Sequence, residues 1–294
     1  MPHSSADHAL RRALPLFLLA GFCLSSLDAS AKFLVREHSL VLVVWARYAG
    51  QMLVVTPWAW HRAGPGFWRT RRLPMQLVRS GCLVAATICF FGGLRYLPLA
   101  EGSAITFLAP IFIAILSQPM LGERPTRARW TASIMGFVGI LIIARPGSSV
   151  FHPAVLLLVG AAAFNALYQL LTRKLVGEDS RTMLFYSALV GTIAMSLMLP
   201  WGLSGGMPGP RDGALFVLLG LLAGLGHWSI IGAYMRAPAA MLSPFTYLQM
   251  VWSTGYGYLV FRQMPDGWSA LGMVVIVASG LLLAVSERRR ALRA

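Results

Sequence analysis

Four ionisable side chains lie within long apolar stretches of the sequence: Asp28, Lys32, Arg47 and Glu101. An ionised group at the centre of a bilayer costs about 2.5–3.5 kcal/mol, so each of the four requires a partner or a function. Asp28 and Lys32 are four residues apart, share one face of a predicted helix and are close enough to form an ion pair. Asp28 or Glu101 could exchange a proton, while Arg47 or Lys32 could hold a carboxylate. Protonation of Asp28 would then release Lys32 and act as a charge switch with two states.

Each of these residues also has a structural interpretation. Lys32 can extend its ammonium group to the lipid headgroups, and Glu101 can cap a helix end or pair with Arg95. Arg47 lies seven residues into its predicted helix, which is about 10 Å below the outer end at a rise of 1.5 Å per residue. Because Asp28 and Arg47 lie deepest, we predict that these two form the functional pair.

Neutral polar and aromatic residues on three further predicted helices form a second set of candidates. Asn165, Tyr168 and Gln169 follow an i, i+3, i+4 spacing and therefore share one face of an otherwise apolar helix. Amides and aromatic rings in a cavity suit an amphipathic or planar organic solute, whereas the same groups also bond helices to one another. We predict solute contacts for this trio and a packing role for His227. The other candidates at this depth are Tyr247, Gln249 and Trp252 on the ninth helix, with Trp228 and His227 on the eighth facing them.

The composition is that of an integral membrane protein. Of the 294 residues, 57% are hydrophobic and 12% are charged, against about 25% charged in a soluble domain. The net charge of +15 comes from basic clusters between apolar runs, with no basic face, so we expect a lipid bilayer and no nucleic acid as partner. The sequence has no GxxxxGK[ST] or HExxH motif and no metal-ligand spacing, so we expect no cofactor, no metal site and no catalytic residues.

Apolar stretches of helical length divide the sequence into ten predicted spans with short connections. About 20 apolar residues cross the hydrocarbon as a helix, and a spanning helix bonds all of its own backbone. The fold class predicted is therefore an all-α integral membrane protein. The spans are roughly 14–34, 40–60, 77–96, 99–120, 130–145, 153–173, 182–202, 213–235, 238–261 and 268–286.

Lysine and arginine are distributed unequally between the two sides of these spans. With the N-terminus placed inside, 18 of them, Arg79 included, fall on the inner side and five on the outer side. Cytoplasmic loops carry such an excess of positive residues. The sequence therefore predicts cytoplasmic N- and C-termini, in a bacterial inner membrane.

The segment from Tyr96 to Pro125 recurs in degraded form from Tyr234 to Pro265. Its matched residues, from Pro98 with Pro238 to Pro125 with Pro265, keep a constant offset of 140 residues. Several pairs are identical and others are conservative, as for Phe107 and Tyr247. Prolines bound both copies, which chance matches among apolar residues do not explain. We interpret the recurrence as an internal duplication of a membrane unit.

Two five-helix units follow from this duplication, predicted at residues 1–147 and 148–294. Since five crossings is an odd number, the second unit is inverted relative to the first. Inverted repeats are a transporter layout in which the solute path lies where the two units meet. Pro110 and Pro244 interrupt the fourth and ninth helices and are predicted to kink them.

Four segments resemble the drug/metabolite transporter superfamily, specifically its EamA-type members with ten helices. They read GLRYLPLAEGSAITFLAPIF (Gly93–Phe112), LGERPTRARW followed by GFVGILIIARPG (Leu121–Gly147), APAAMLSPFTYLQMVW (Ala237–Trp252) and MPDGWSALG (Met264–Gly272). The resemblance implies a ten-helix bundle with a central cavity that moves amino acids, nucleotide-related metabolites, vitamins or drugs. Within the family, SSLDASAKFL and WARY are similar to the branch of S-adenosylmethionine-uptake-like and riboflavin-uptake-like carriers.

We therefore expect a secondary-active carrier of a small organic metabolite, proton-coupled or exchanging, that works by alternating access around a central cavity. Two other classes are considered: a non-transporting membrane receptor or assembly protein, and an intramembrane enzyme. The enzyme would need a nucleophile–base set or metal ligands at membrane depth, for which the sequence offers no motif. The solute, the direction of transport, the coupling ion and the oligomeric state are left open by the sequence.

Overall fold

A computed structural model describes residues 3–122, 126–147, 151–175, 177–202, 208–234, 236–237 and 242–291. Within these ranges the regular structure is entirely helical. A short 3-10 helix, Ser243–Tyr247, leads directly into the helix that begins at Leu248. The α-helices are α1 (His3–Glu37), α2 (Leu40–Ala63), α3 (Leu73–Leu94), α4 (Leu99–Thr106), α5 (Ala109–Leu121), α6 (Arg127–Ala144), α7 (Val155–Lys174), α8 (Ser180–Gly202), α9 (Pro210–Tyr234), α10 (Leu248–Phe261) and α11 (Gly267–Ala291).

The ten predicted spans are all present. In the described part of the chain, eight of them are long and apolar enough by themselves to cross a bilayer, with α4 and α5 together counting as one. The 3-10 helix and α10 form the ninth span, and α11, with the apolar stretch Gly267–Leu283, is the tenth. We call the side of the bundle at which α1 begins the inner side and the opposite side the outer side.

The fourth span is broken in its middle. Phe107 and Leu108 separate α4 from α5, immediately before Ala109 and Pro110. Proline has no N–H to donate to the preceding turn and its ring clashes with the carbonyl four residues earlier, so a continuous α-helix is not stable here. The interruption predicted at Pro110 is therefore confirmed. The ninth span is likewise irregular, since its 3-10 segment contains Pro244.

The helices pack in pairs related by an approximate two-fold axis in the membrane plane. The contact of α1 with α9 has its equivalent in that of α7 with α3, and the contact of α2 with α9 in that of α8 with α3. Two further pairs, α2 with α8 and α6 with α11, each join a helix to its own repeat equivalent. The fold is thus two inverted five-helix repeats that interlock along their length, in agreement with the prediction from the 140-residue offset.

Repeat-equivalent residues meet at the centre of the bundle. Phe107 and Tyr247, which are 140 residues apart in sequence, stack with ring centroids 5.1 Å apart and planes at 19°. Nearby, Ser103 Oγ on α4 donates a hydrogen bond to Ser253 Oγ on α10 at 3.0 Å. Two equivalent residues of an inverted repeat touch only where the symmetry axis passes, so the axis lies at this pair of rings.

At the outer side, an ion pair joins the end of α6 to the start of α11. Arg145 Nη2 lies 2.7 Å from Asp266 Oδ2, and Asp266 Oδ1 accepts a hydrogen bond from the Ser269 backbone N–H at 2.8 Å. The second bond caps α11. The Ser269 hydrogen bonds, with a smaller contribution from Arg145, hold the pKa of Asp266 below its ordinary value.

Glycines allow α6 and α11 to cross at very short distance. A Cβ added to Gly139 would lie 2.8 Å from the Gly272 carbonyl oxygen and 2.7 Å from Ile276 Cγ1. Small residues of this kind permit close approach and dispersion contact between membrane helices, where the hydrophobic effect contributes little. The close approach of these two backbones ties the repeats together.

We predict that Gly139→Ala destabilises the protein by about 1–3 kcal/mol, because the added methyl group overpacks the crossing. Gly255→Ala is the matched control: Gly255 lies inside α10, and a Cβ there would meet nothing within 4 Å. Helix propensity alone makes the control neutral or stabilising by up to about 1 kcal/mol. Thermal unfolding of both purified variants in the same detergent measures the difference, and equal midpoints would contradict the close crossing.

Candidate functional site

A polar cavity of about 250 Å³ lies between the two repeats. Its walls come from α1, α2, α3, α4, α7, α9 and α10, so both repeats contribute. The apolar part of the wall includes Phe90 and Phe91 on α3 and Leu24 and Leu27 on α1. The polar lining residues are Asp28, Arg47, Thr87, Thr106, Asn165, His227 and Gln249.

Asp28 and Arg47 are the charged residues of this cavity. Their exposed fractions are 8% and 6%. Asp28 on α1 and Arg47 on α2 both line the cavity, and Gln249 on α10 lines the same space. Bringing opposite charges together offsets part of the cost of removing them from water. The structure therefore brings Asp28 and Arg47 into one cavity, where Gln249 and Asn165 join them.

The guanidinium of Arg47 is positioned by neighbours that the sequence analysis did not identify. Arg47 Nη1 donates to Thr87 Oγ1 at 3.2 Å, and its guanidinium carbon lies 4.5 Å from the centroid of the Tyr48 ring. Thr87 in turn donates to the Leu83 carbonyl at 2.9 Å and lies 2.9 Å from the Tyr48 hydroxyl. Arg47 Nε has no hydrogen-bond partner within the described protein. Part of the Arg47 guanidinium is therefore bound by the protein, and its remaining N–H groups can bind an anion.

Tyr48 occupies its position because α8 has a glycine opposite it. The Tyr48 ring packs directly on Gly191, where any side chain would overlap the ring. Tyr48 and Gly191 are far apart in sequence and neither carries a motif, so only the tertiary structure connects them to Arg47.

His227 belongs to the cavity rather than to packing alone. Its Nδ1 lies 2.8 Å from the Ala223 carbonyl oxygen. A carbonyl can only accept, so Nδ1 carries the proton and donates, and Nε2 is then the ring atom that can accept a hydrogen bond from a solute. The packing role predicted for His227 accounts for Nδ1 but not for its place in the cavity wall.

Lys32 lies outside the cavity, and the predicted ion pair with Asp28 is wrong. Lys32 is 1% exposed, and its Nζ donates to the Leu94 carbonyl at 2.9 Å and to the Leu97 carbonyl. The side chain also lies over the Phe261 ring, with Nζ 5.4 Å from the centroid. The shared helix face allowed an ion pair, but the long side chain reaches the turn between α3 and α4 instead.

Glu101 also lies outside the cavity, at the outer side. Glu101 Oε1 accepts a hydrogen bond from Ser269 Oγ on α11 at 2.8 Å. The alternative predicted from sequence was a cap or a pair with Arg95. The observed bond instead connects the first turn of α4 with the tenth span, which a pattern within one repeat cannot indicate.

The remaining candidate solute contacts lie in different parts of the bundle rather than in one site. Tyr168 lies beneath the guanidinium of Arg79, at 4.8 Å from ring centroid to carbon, and Gln169 is exposed on the bundle surface. Tyr247 is stacked on Phe107 at the symmetry axis. On the bundle surface, Trp252 packs edge-on against Phe22 at 5.4 Å, and Trp228 is 40% exposed. Of Asn165, Tyr168 and Gln169 on α7, only Asn165 lines the cavity.

Comparison with known proteins now identifies the type of molecule. Residues 11–145 and 152–285 each match the EamA-like transporter family. The chain belongs to the EamA-like transporter family. It is a small-metabolite transporter and an integral membrane protein, not an enzyme.

Relatives of this EamA-like transporter carry several different solutes. A riboflavin transporter of Vibrio cholerae is 31% identical over 299 residues, covering 99% of this chain and 98% of the relative. An S-adenosylmethionine uptake transporter of Rickettsia felis is 28% identical, with coverage of 93% and 92%. A pseudopaline exporter of Pseudomonas aeruginosa is 28% identical, with coverage of 95% and 98%. A crystal structure with a TM-score of 0.69 and 19% identity, over 97% of this chain and 99% of that chain, shares the fold.

We predict that Lys32→Met lowers the stability of this EamA-like transporter by about 1–3 kcal/mol and leaves its affinity for solute unchanged. Methionine preserves the length of the side chain but leaves buried carbonyls without a donor. Lys174→Met is the matched control, because Lys174 is the other lysine of the sequence and ends α7. Thermal unfolding and solute titration of the same preparations separate the two effects. A weaker affinity with unchanged stability would instead make Lys32 a solute ligand.

Proposed function

We propose that this protein is a proton-coupled carrier of compact metabolites that bear a carboxylate, with Arg47 as the anion contact and Asp28 as the proton site. The observation that carries the proposal is that these two buried residues of opposite charge line one cavity between the repeats. A coupled site requires that solute and proton compete or cooperate at the same place, and the cavity shared by Asp28 and Arg47 supports this role.

The state of Arg47 supports a carboxylate rather than a neutral solute. Its guanidinium is directed by Thr87 and Tyr48, but the described contacts leave Nε without an acceptor. A carboxylate binds two guanidinium N–H groups at once, and such charge-assisted bonds are stronger than neutral ones. The Asn165 and Gln249 amides and His227 Nε2 then provide neutral contacts to the rest of the solute.

The neighbourhood of Asp28 supports proton coupling. The positive charge of Arg47, which lines the same cavity, is the partner available to an ionised Asp28 as long as no other anion occupies the site. A solute carboxylate that binds Arg47 competes for the same positive charge and adds a negative charge near Asp28, so Asp28 takes up a proton. Solute binding and protonation are thereby linked, and the pair of states can bias the bundle between its two openings.

The size and lining of the cavity favour a compact solute with a planar or apolar part. A volume of about 250 Å³ lies below the roughly 300–1,000 Å³ of sites for drug-sized ligands. Phe90 and Phe91 offer aromatic surface beside the charges. Among the solutes of the named relatives, S-adenosylmethionine carries a carboxylate and riboflavin does not, so the two are useful probes.

We also propose that the protein lies in a bacterial inner membrane with both termini in the cytoplasm. The ratio of 18 to five lysine and arginine residues between the two sides supports this orientation. The inner side defined above is then the cytoplasmic side.

The decisive experiment is uptake into proteoliposomes with a panel of S-adenosylmethionine, riboflavin and free amino acids, with and without a pH gradient. We predict that the parent protein concentrates a carboxylate-bearing solute only when a gradient is applied. Asp28→Asn should abolish this response and keep solute exchange, because a fixed neutral amide still accommodates the bound carboxylate. Arg47→Gln should raise the apparent KM by about tenfold to a hundredfold, the loss of a charged hydrogen bond.

Glu101→Gln is the matched control for Asp28→Asn, because Glu101 is the other acid that lies within a predicted span and it bonds Ser269 outside the cavity. It should retain the response to the gradient. Coupling that survives Asp28→Asn but not Glu101→Gln would move the proton site to Glu101. Gradient-independent exchange by the parent protein would replace proton coupling with an exchange mechanism, and transport of riboflavin alone would refute the carboxylate requirement.

A further inference from the structure

The polar face of α3 continues beyond the cavity toward the inner side. Leu83 and Thr87 line the cavity, and Arg79, Ser80 and Gln76 occupy the next turns of the same helix at spacings of three and four residues. Residues at these spacings share one face of a helix. The cavity wall of α3 is therefore extended by a cation, an amide and a hydroxyl.

Arg79 was counted with the inner-side loops in the sequence analysis, but the structure buries it within α3, with 1% of its surface exposed. Its Nη2 donates to the Met183 carbonyl at 2.7 Å and to Ser187 Oγ at 3.0 Å, both on α8. Its guanidinium lies over the Tyr168 ring. None of its contacts in the described protein is a carboxylate, and its Nε has no partner there. A buried cation held only by neutral groups is costly and retains capacity for an anion.

The polar groups around this level are also unsatisfied. Both polar atoms of the Gln76 amide and the Ser80 hydroxyl are buried without a hydrogen-bond partner among the described residues, and the same is true of the Gln51 amide. Tyr48 on α2 contacts Leu83 on α3. Because these helices are antiparallel, Gln51 lies one turn nearer the inner side than Tyr48, toward the level of Ser80.

A purely structural role does not explain these groups. Amides and hydroxyls that hold helices together do so by bonding to one another, and more than about 90% of buried polar groups in proteins have a partner. Several unpartnered groups beside one cation indicate a surface that interacts with water or solute in another conformation of the bundle.

Arg79 is connected to the cavity but covered on its inner side. Arg79 lies one helical turn from Leu83, which lines the cavity. Below it, the loop after α2 packs on the first turns of α8: Thr182 Oγ1 donates to the Phe67 carbonyl at 2.6 Å, and the Phe67 and Phe185 rings are 5.0 Å apart. Arg79 thus lies between the cavity and the part of the bundle that must separate when the inner side opens.

We infer that Arg79, with Gln76, Ser80 and Gln51, forms a second anion-binding point on the inner half of the solute path, which the carboxylate reaches after or before Arg47. Its place in the sequence of transport steps rests on the proposed function. Its preference for anions does not, since it follows from the unpaired cation and the unsatisfied amides. Arg79 and Thr87, which binds Arg47, are about two helical turns apart on α3. Two cationic points at this separation on one path let a carboxylate move in steps, so that neither point needs to release it into an apolar constriction.

The test is the reactivity of a cysteine at Ser80 toward charged thiol reagents. In a background with Cys23, Cys82 and Cys89 replaced by alanine, Ser80→Cys is reacted from the inner side with an anionic sulfonatoethyl and a cationic trimethylammonioethyl methanethiosulfonate. Each rate is divided by the rate of the same reagent with 2-mercaptoethanol. We predict that the anionic reagent is favoured by about tenfold, as expected for one uncompensated charge at close range. Added Arg79→Gln should remove the preference, and Arg79→Lys should retain it.

Val78→Cys is the matched control, two residues away on the same helix and 58% exposed on the bundle surface toward lipid. It should react with neither reagent. Absence of reaction at Ser80→Cys from the inner side, or equal normalised rates that Arg79→Gln leaves unchanged, would overturn the inference. The measurement requires no transported solute, so the result can be interpreted even if the carboxylate proposal fails. Arg79→Lys keeps the charge and therefore shows whether the loss of charge, rather than misfolding, removes the preference.

Discussion

The structure depends on keeping the opposite charges of Asp28 and Arg47 together at membrane depth without a permanent, fully satisfied ion pair. Each is 8% exposed or less, and in so apolar a setting neither could remain ionised alone. Thr87 and Tyr48 hold Arg47 in place but leave part of its hydrogen-bonding capacity unused. A site that satisfied itself completely would bind nothing. The incomplete pairing is what allows a solute carboxylate and a proton to exchange places there.

The inverted repeats determine where that site can lie and how it can be reached. Equivalent rings meet at the symmetry axis, glycines bring α6 and α11 together, and the cavity lies between the two halves. Contacts at the outer side, from Lys32, Glu101 and Arg145, and at the inner side, from Thr182 and Phe67, join segments distant in sequence. These are the bonds that must break alternately if the two halves move as rigid units around a fixed site.

The sequence predicted the architecture well because the bilayer constrains the length of each span and the charge of each loop, and both are visible in the sequence. Span length, the 140-residue offset and the unequal distribution of lysine and arginine can each be determined without knowledge of tertiary contacts. The prediction of ten helices is confirmed. Depth along the predicted helices was enough to select Asp28 and Arg47, which the structure brings into one cavity. Three residues lie elsewhere than predicted, each for its own reason. The long side chain of Lys32 bonds carbonyls near the end of α3, and Gln169 is exposed on the bundle surface although its spacing matches that of Asn165. Arg79 lies inside α3 rather than in a loop, because α3 begins earlier than predicted. Thr87, Tyr48 and Gly191 carry no local signal, since their role exists only through packing across the bundle.

The central claim is that one cavity between the repeats is reached from both sides of the membrane in turn. The most direct measurement places a cysteine at Ala161, a small buried residue of the cavity wall, in the cysteine-free background. A membrane-impermeant thiol reagent is then applied to sealed vesicles from either side. Reaction from each side separately, slowed by transported solute in both cases, is the predicted result. Reaction from one side only, under every pH gradient and with or without solute, would contradict alternating access to this site.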